Sequence, residues 1–194
     1  VGFWESLIQP AAGGLLTVWY PIEAINDPSR PNACANGQYL LINRSTYAKV
    51  GGHAVVKGRL LEDIAFAEET KRTGIPLRMA IGIHAVKTRM YEGLGRSWNG
   101  WKRIFMELAH RRPTYLLRRA CGLFCIGMLP FLALLTAALL GAPTGICLLA
   151  GSAFLFSLAV RWVFSVFCRQ PQWPVPLMPL SVLLIIGILL HAAW

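Results

Sequence analysis

At 194 residues, with 55% hydrophobic side chains, the chain has room for one domain, or for one domain and a membrane anchor. It carries 19 Lys and Arg against 9 Asp and Glu, yet from Ala120 to Trp194 the only formal charges are Arg161 and Arg169. A mixed head followed by an apolar tail argues for a membrane partner and against nucleic acid, whose binders spread basic charge over a groove-facing surface. No charged segment precedes an apolar core at the start, so no signal peptide is expected. Cys34, Cys121, Cys125, Cys147 and Cys168 show no CxxC spacing and read as small apolar residues, not as disulfide or zinc ligands.

Residues 1–35 read as an interfacial and linker segment. Within it, 7–22 is uncharged but short and interrupted by Pro10 and Gly13-Gly14, which predicts a piece that lies on or dips into the bilayer interface without crossing it. Residues 36–92 read as a piece of an α/β domain. GQYLLINR, 37–44, predicts a buried strand, and Ser45 can cap a short helix STYAKV ended by Gly51 and Gly52. LLEDIAFAEETKRT, 60–73, predicts a helix with Glu62 and Asp63 in its first turn, Lys71 and Arg72 in its last, and Gly74 and Pro76 as stops. LRMAIGIHAVKTRMY, 77–91, predicts a second strand. Strand, helix and strand is an α/β signature.

Residues 93–119 predict a basic amphipathic helix. Leu94, Trp98, Trp101, Phe105 and Leu108 recur at helical spacing, with Arg96, Lys102, Arg103, Arg111 and Arg112 among them. Trp on the apolar face of a basic helix suits a bilayer interface. Residues 120–194 predict three membrane spans, about 120–141, 145–167 and 175–193, the first containing Pro130. Arg111, Arg112, Arg118, Arg119 and Arg169 cluster at one side. The positive-inside rule therefore places the head and the 168–174 connection in the cytoplasm at the inner membrane, and three crossings put the C-terminus outside.

Asn36-Gly37, Arg44, Gly51-Gly52-His53 and Glu62-Asp63, in this order and spacing, resemble the acceptor-side half of membrane-bound family 2 glycosyltransferases. The branch it is most similar to contains ceramide glucosyltransferases and bacterial carotenoid or hopanoid glycosyltransferases. The resemblance covers residues 36 to about 105. It implies a partial GT-A, Rossmann-like head that joins the three-helix membrane domain. It also implies inverting transfer of a sugar from a nucleotide-sugar donor to a lipid acceptor, within a chain that lacks the donor-binding half and is inactive by itself. Asp63, with Glu62 beside it, would supply the catalytic base that removes the acceptor proton. Arg44, Gly51, Gly52, His53, Arg96, Trp98, Trp101 and Lys102 would meet the substrates. A divalent metal, Mg or Mn, is implied for the complete enzyme. Its usual Asp-x-Asp ligands are absent here, since neither Asp27 nor Asp63 has an aspartate two residues away.

Each of these residues also has a plain structural use. Acids in a first turn complement the helix macrodipole by about 0.3–1 kcal/mol each. A turn histidine can be satisfied by its neighbours, and a strand-end arginine by an acid. Two other readings of the whole chain remain: part of a processive polysaccharide synthase, and a non-catalytic membrane adaptor that binds anionic lipid through 96–119.

Overall fold

The computed structural model describes residues 2–86 and 88–194. They form two compact units, Leu15–Thr88 and a second made of Val1–Gly14 with Arg89–Trp194. The α/β head expected from the sequence, with its GT-A, Rossmann-like implication, does not form. Among the described residues every regular element is a helix, with no strand and no sheet.

The reason lies in where backbone hydrogen bonds can close. A helix satisfies its own N–H and C=O groups, whereas a strand needs another backbone alongside. Segments 37–43 and 75–80 run without a paired neighbour, and Tyr39 and Leu41 are 66% and 85% exposed. At one point a side chain replaces the missing partner: the Asn26 amide accepts from Met79 N at 2.7 Å and donates to Met79 O at 3.0 Å. The predicted second strand also includes Lys87, which lies outside the described residues; 83–85 forms a turn.

In the Leu15–Thr88 unit, α2 (Ile22–Asn26) and α3 (Arg44–Val50) precede a 3-10 turn, Gly52–Val56, and α4 (Glu62–Arg72). Asn43, not Ser45, caps α3: its Oδ1 accepts from Thr46 N at 2.7 Å. The predicted central helix forms as α4. Its buried face, Ala65, Phe66, Ala67 and Thr70, packs against Val50, Val56, Ile42 and Ile75, and against Ala33, Ala35 and Leu77. Lys71 fastens the preceding loop by donating to the carbonyls of Ile25 and Asn32, at 2.7 and 2.6 Å.

The first helix, α1 (Phe3–Trp19), runs unbroken through Pro10 and Gly13-Gly14, against the interrupted segment expected. Leu7 and Ile8 are fully buried. Burial of two such side chains, worth about 1.5–3 kcal/mol each, outweighs the one helical bond Pro10 cannot make.

The basic amphipathic helix forms as α5 (Gly93–Leu108). Its stripe of Ser97, Trp101, Phe105 and Leu108 is buried against the protein. The next helix begins seven residues earlier than predicted. It comprises α6 (Pro113–Leu123), a π turn (Phe124–Met128) and α7 (Leu129–Leu139). Pro130 explains the wide turn. It has no N–H for the carbonyl four residues back, and Ser157 Oγ reaches that carbonyl, Ile126 O, at 3.4 Å. Then come α8 (Thr144–Phe167) and, after a short 3-10 turn (Val175–Leu177), α9 (Met178–Ala193).

Three helices, Pro113–Leu139, Thr144–Phe167 and Val175–Ala193, are long and apolar enough to cross a membrane. They mark a membrane protein. Three successive crossings would make α9 parallel to α6. Instead α9 lies along α6 and the π turn: Val182 sits at Gly127, while farther along α9 Gly187 and His191 meet Trp98 of α5. The two helices are antiparallel, and the C-terminal turn of α9 comes back to α5.

Candidate functional site

In the Leu15–Thr88 unit the Asn36-Gly37 turn and Asp63, 26 residues apart, are brought together. Asp63 Oδ2 accepts from Gly37 N at 2.8 Å, and Oδ1 accepts from Ile64 N at 2.8 Å. A side chain at position 37 would press on this carboxylate, since a Cβ there would lie 3.3 Å from Oδ2. Asp63 is half-buried and directionally fixed. Glu62 is exposed. Neighbouring residues on a helix point about 100° apart, so only Asp63 faces the turn.

The Gly-Gly-His loop has a separate logic. Gly51, at φ 94°, ends α3 in the left-handed region, and Gly52, at φ 61°, lies under the Tyr47 ring, where a Cβ would approach within 2.8 Å. Tyr47 Oη stands 2.9 Å from His53 Nδ1 and accepts from His53 N at 3.0 Å. The imidazole stacks on Phe66 with centroids 5.2 Å apart. His53 is therefore held between α3 and α4 on an exposed surface. Arg44 begins α3 and is exposed. A cavity of about 580 Å³ opens in the same unit between Tyr39–Asn43, Phe66, Thr70 and 75–80. Beside it, burial pushes the Cys34 thiol up to about 12, with the Asp63 and Glu68 carboxylates adding to the shift.

The other residues predicted to meet substrate belong to α5, in the second unit. Arg96 pairs with Glu92 at 3.8 Å. Trp101 is buried and its Nε1–H donates to Gln9 Oε1 at 3.2 Å. Trp98 and Lys102, one turn apart, converge on His191 of α9, with Trp98 Nε1 2.9 Å from Nδ1 and Lys102 Nζ 2.9 Å from Nε2. Sequence reasoning missed His191. The one signal for it was a titratable residue near the end of a helix that otherwise carries no ionisable side chain.

Among the described residues no group of three or more His, Cys, Asp and Glu converges as metal ligands would. Asp27 is engaged by Ser29, whose Oγ and N donate to Oδ1 at 2.6 and 2.9 Å, and by Arg30 at 3.2 Å. Comparison with protein-family models, characterised proteins and solved structures finds no match for this chain.

Proposed function

We propose that this chain is part of a membrane enzyme that transfers a sugar from a nucleotide-sugar to a lipid hydroxyl, with Asp63 as the base. The observation that supports this is the meeting of the Asn36-Gly37 turn with Asp63, in a chain that continues into a basic helix and apolar membrane helices. A base must be rigid, reachable and aimed. Two backbone N–H groups fix the carboxylate of Asp63, and each oxygen keeps a lone pair for the acceptor proton. The acceptor hydroxyl loses that proton as it attacks the anomeric carbon and the nucleoside diphosphate departs. No step here runs through a metal. Lipid acceptors would reach the reaction from the bilayer held by the apolar helices, on the cytoplasmic face indicated by the arginines around α5 and α6. Because α9 returns to α5, the C-terminus lies on that same face in this reading.

The test compares Asp63→Asn with Glu62→Gln in the full-length protein, measuring lipid glycosylation and donor affinity. General-base catalysis typically contributes about 10²–10⁴-fold, so Asp63→Asn lowers the rate by that order and leaves donor affinity intact. Glu62→Gln has the milder effect. A near-normal rate in Asp63→Asn overturns the assignment.

A further inference from the structure

We propose that the corner formed by Trp98, Lys102 and His191 binds the phosphate of an anionic phospholipid headgroup. This reading is independent of sugar transfer. It starts from a mismatch in hydrogen-bond roles. The indole N–H of Trp98 only donates, and so does the ammonium of Lys102. They address the two ring nitrogens of His191, each at 2.9 Å. A neutral imidazole has one acceptor nitrogen, so one of the two donors has no acceptor, and the ring's own N–H has none either. The corner holds more N–H groups than acceptors, and a phosphate oxygen supplies what is lacking.

The corner is built into the packing. Gly187 is the one glycine of α9, and the Trp98 indole occupies the space over it; a Cβ there would come within 2.7 Å of the ring. That notch lets Trp98 reach His191. The charge is also left over. Arg89 and Arg96 pair with Glu92, and Arg111 with Glu107. Lys102 pairs with no carboxylate among the described residues and meets the imidazole of His191 instead. The carbonyl end of α9 disfavours an anion, so the ammonium of Lys102 decides the sign of the site.

The surroundings favour a lipid over free phosphate. Leu183 and Leu190 on α9, and Trp194 directly after it, are exposed, Trp194 completely. They give acyl chains an apolar surface next to the three donors, which a small inorganic ion would not use.

The experiment is native mass spectrometry of the full chain in detergent, offered equimolar phosphatidylglycerol and phosphatidylcholine with the same acyl chains. The unmodified protein retains phosphatidylglycerol in preference by about five- to tenfold, the scale of one or two phosphate–cation contacts at a membrane surface. Lys102→Gln and Gly187→Leu each bring the preference close to one, while Lys102→Arg keeps most of it. Arg103→Gln, an exposed basic residue on the same helix outside the corner, leaves it unchanged. A preference that survives in Lys102→Gln overturns the proposal. So does an equal loss in Arg103→Gln, which would make the attraction diffuse, and so does displacement of the lipid by excess inorganic phosphate, which would make free phosphate the ligand.

Discussion

The Leu15–Thr88 unit and the α5–α9 bundle are both rich in apolar residues, yet they keep them in different places. In the first, apolar side chains of α4 form a small core while Tyr39 and Leu41, in a segment whose pattern predicts a strand, are exposed. In the bundle, long apolar stretches become helices close to where the sequence places them. The difference is one of backbone accounting. A helix-forming segment needs nothing beyond itself to satisfy its N–H and C=O groups, so local pattern predicts it well. A strand-forming segment needs a partner that local pattern does not supply.

That contrast can be broken at the core of the Leu15–Thr88 unit. Phe66 is 2% exposed and carries both Tyr47 and His53 on its ring. Phe66→Ala destabilises this unit by about 3–5 kcal/mol in chemical denaturation, and leaves the helicity of the bundle in place. Simultaneous loss of both would mean that the two regions do not fold by separate rules. A smaller effect follows from the Asn36-Gly37 turn. Asp63→Ala strips the acceptor from the exposed Gly37 N and costs about 0.5–1.5 kcal/mol, whereas Asp63→Asn, which keeps a carbonyl oxygen, costs less than half as much. Equal costs would mean that the contact adds nothing.

Helix starts sharpen the comparison further. Asn43→Ala removes the α3 cap and costs about 1 kcal/mol, while Ser45→Ala, at the position the sequence favoured as a cap, costs less, because its hydroxyl only supports Asn43 Oδ1. The smallest effect concerns Cys34, raised from 9.0 to about 12. The folded state holds this proton where the unfolded state releases it, so the stabilisation is complete below about pH 9 and is lost as pH rises towards 12. Mass-mapped alkylation of Cys34 at pH 9 is correspondingly slower in the folded protein than in denaturant.

The residues show why some of this was legible. Glu62, Asp63, Lys71 and Arg72 mark the ends of α4 because acids and bases complement the helix dipole, a local signal. The apolar tail likewise announces itself by length. Asp63 as a candidate came from a pattern of residues, and its contact with Gly37, 26 positions away, carries no local trace. The return of α9 to α5 was illegible for the same reason: counting spans sets direction only when each one crosses, and the notch at Gly187 that seats Trp98 is a tertiary fact. Pro10 misled because its effect on α1 depends on how deeply Leu7 and Ile8 are buried.

The central claim about the head, that its strand-like segments are unpaired while Asp63 holds the turn before them, is tested most directly by residue-resolved amide hydrogen exchange. Gly37, bonded to Asp63 at 2.8 Å, and the amides of α4 exchange slowly, while Leu40, Leu41 and Ile42 exchange almost as fast as an unstructured chain. Slow exchange at 40–42 comparable with α4 would show a paired strand there and contradict the account.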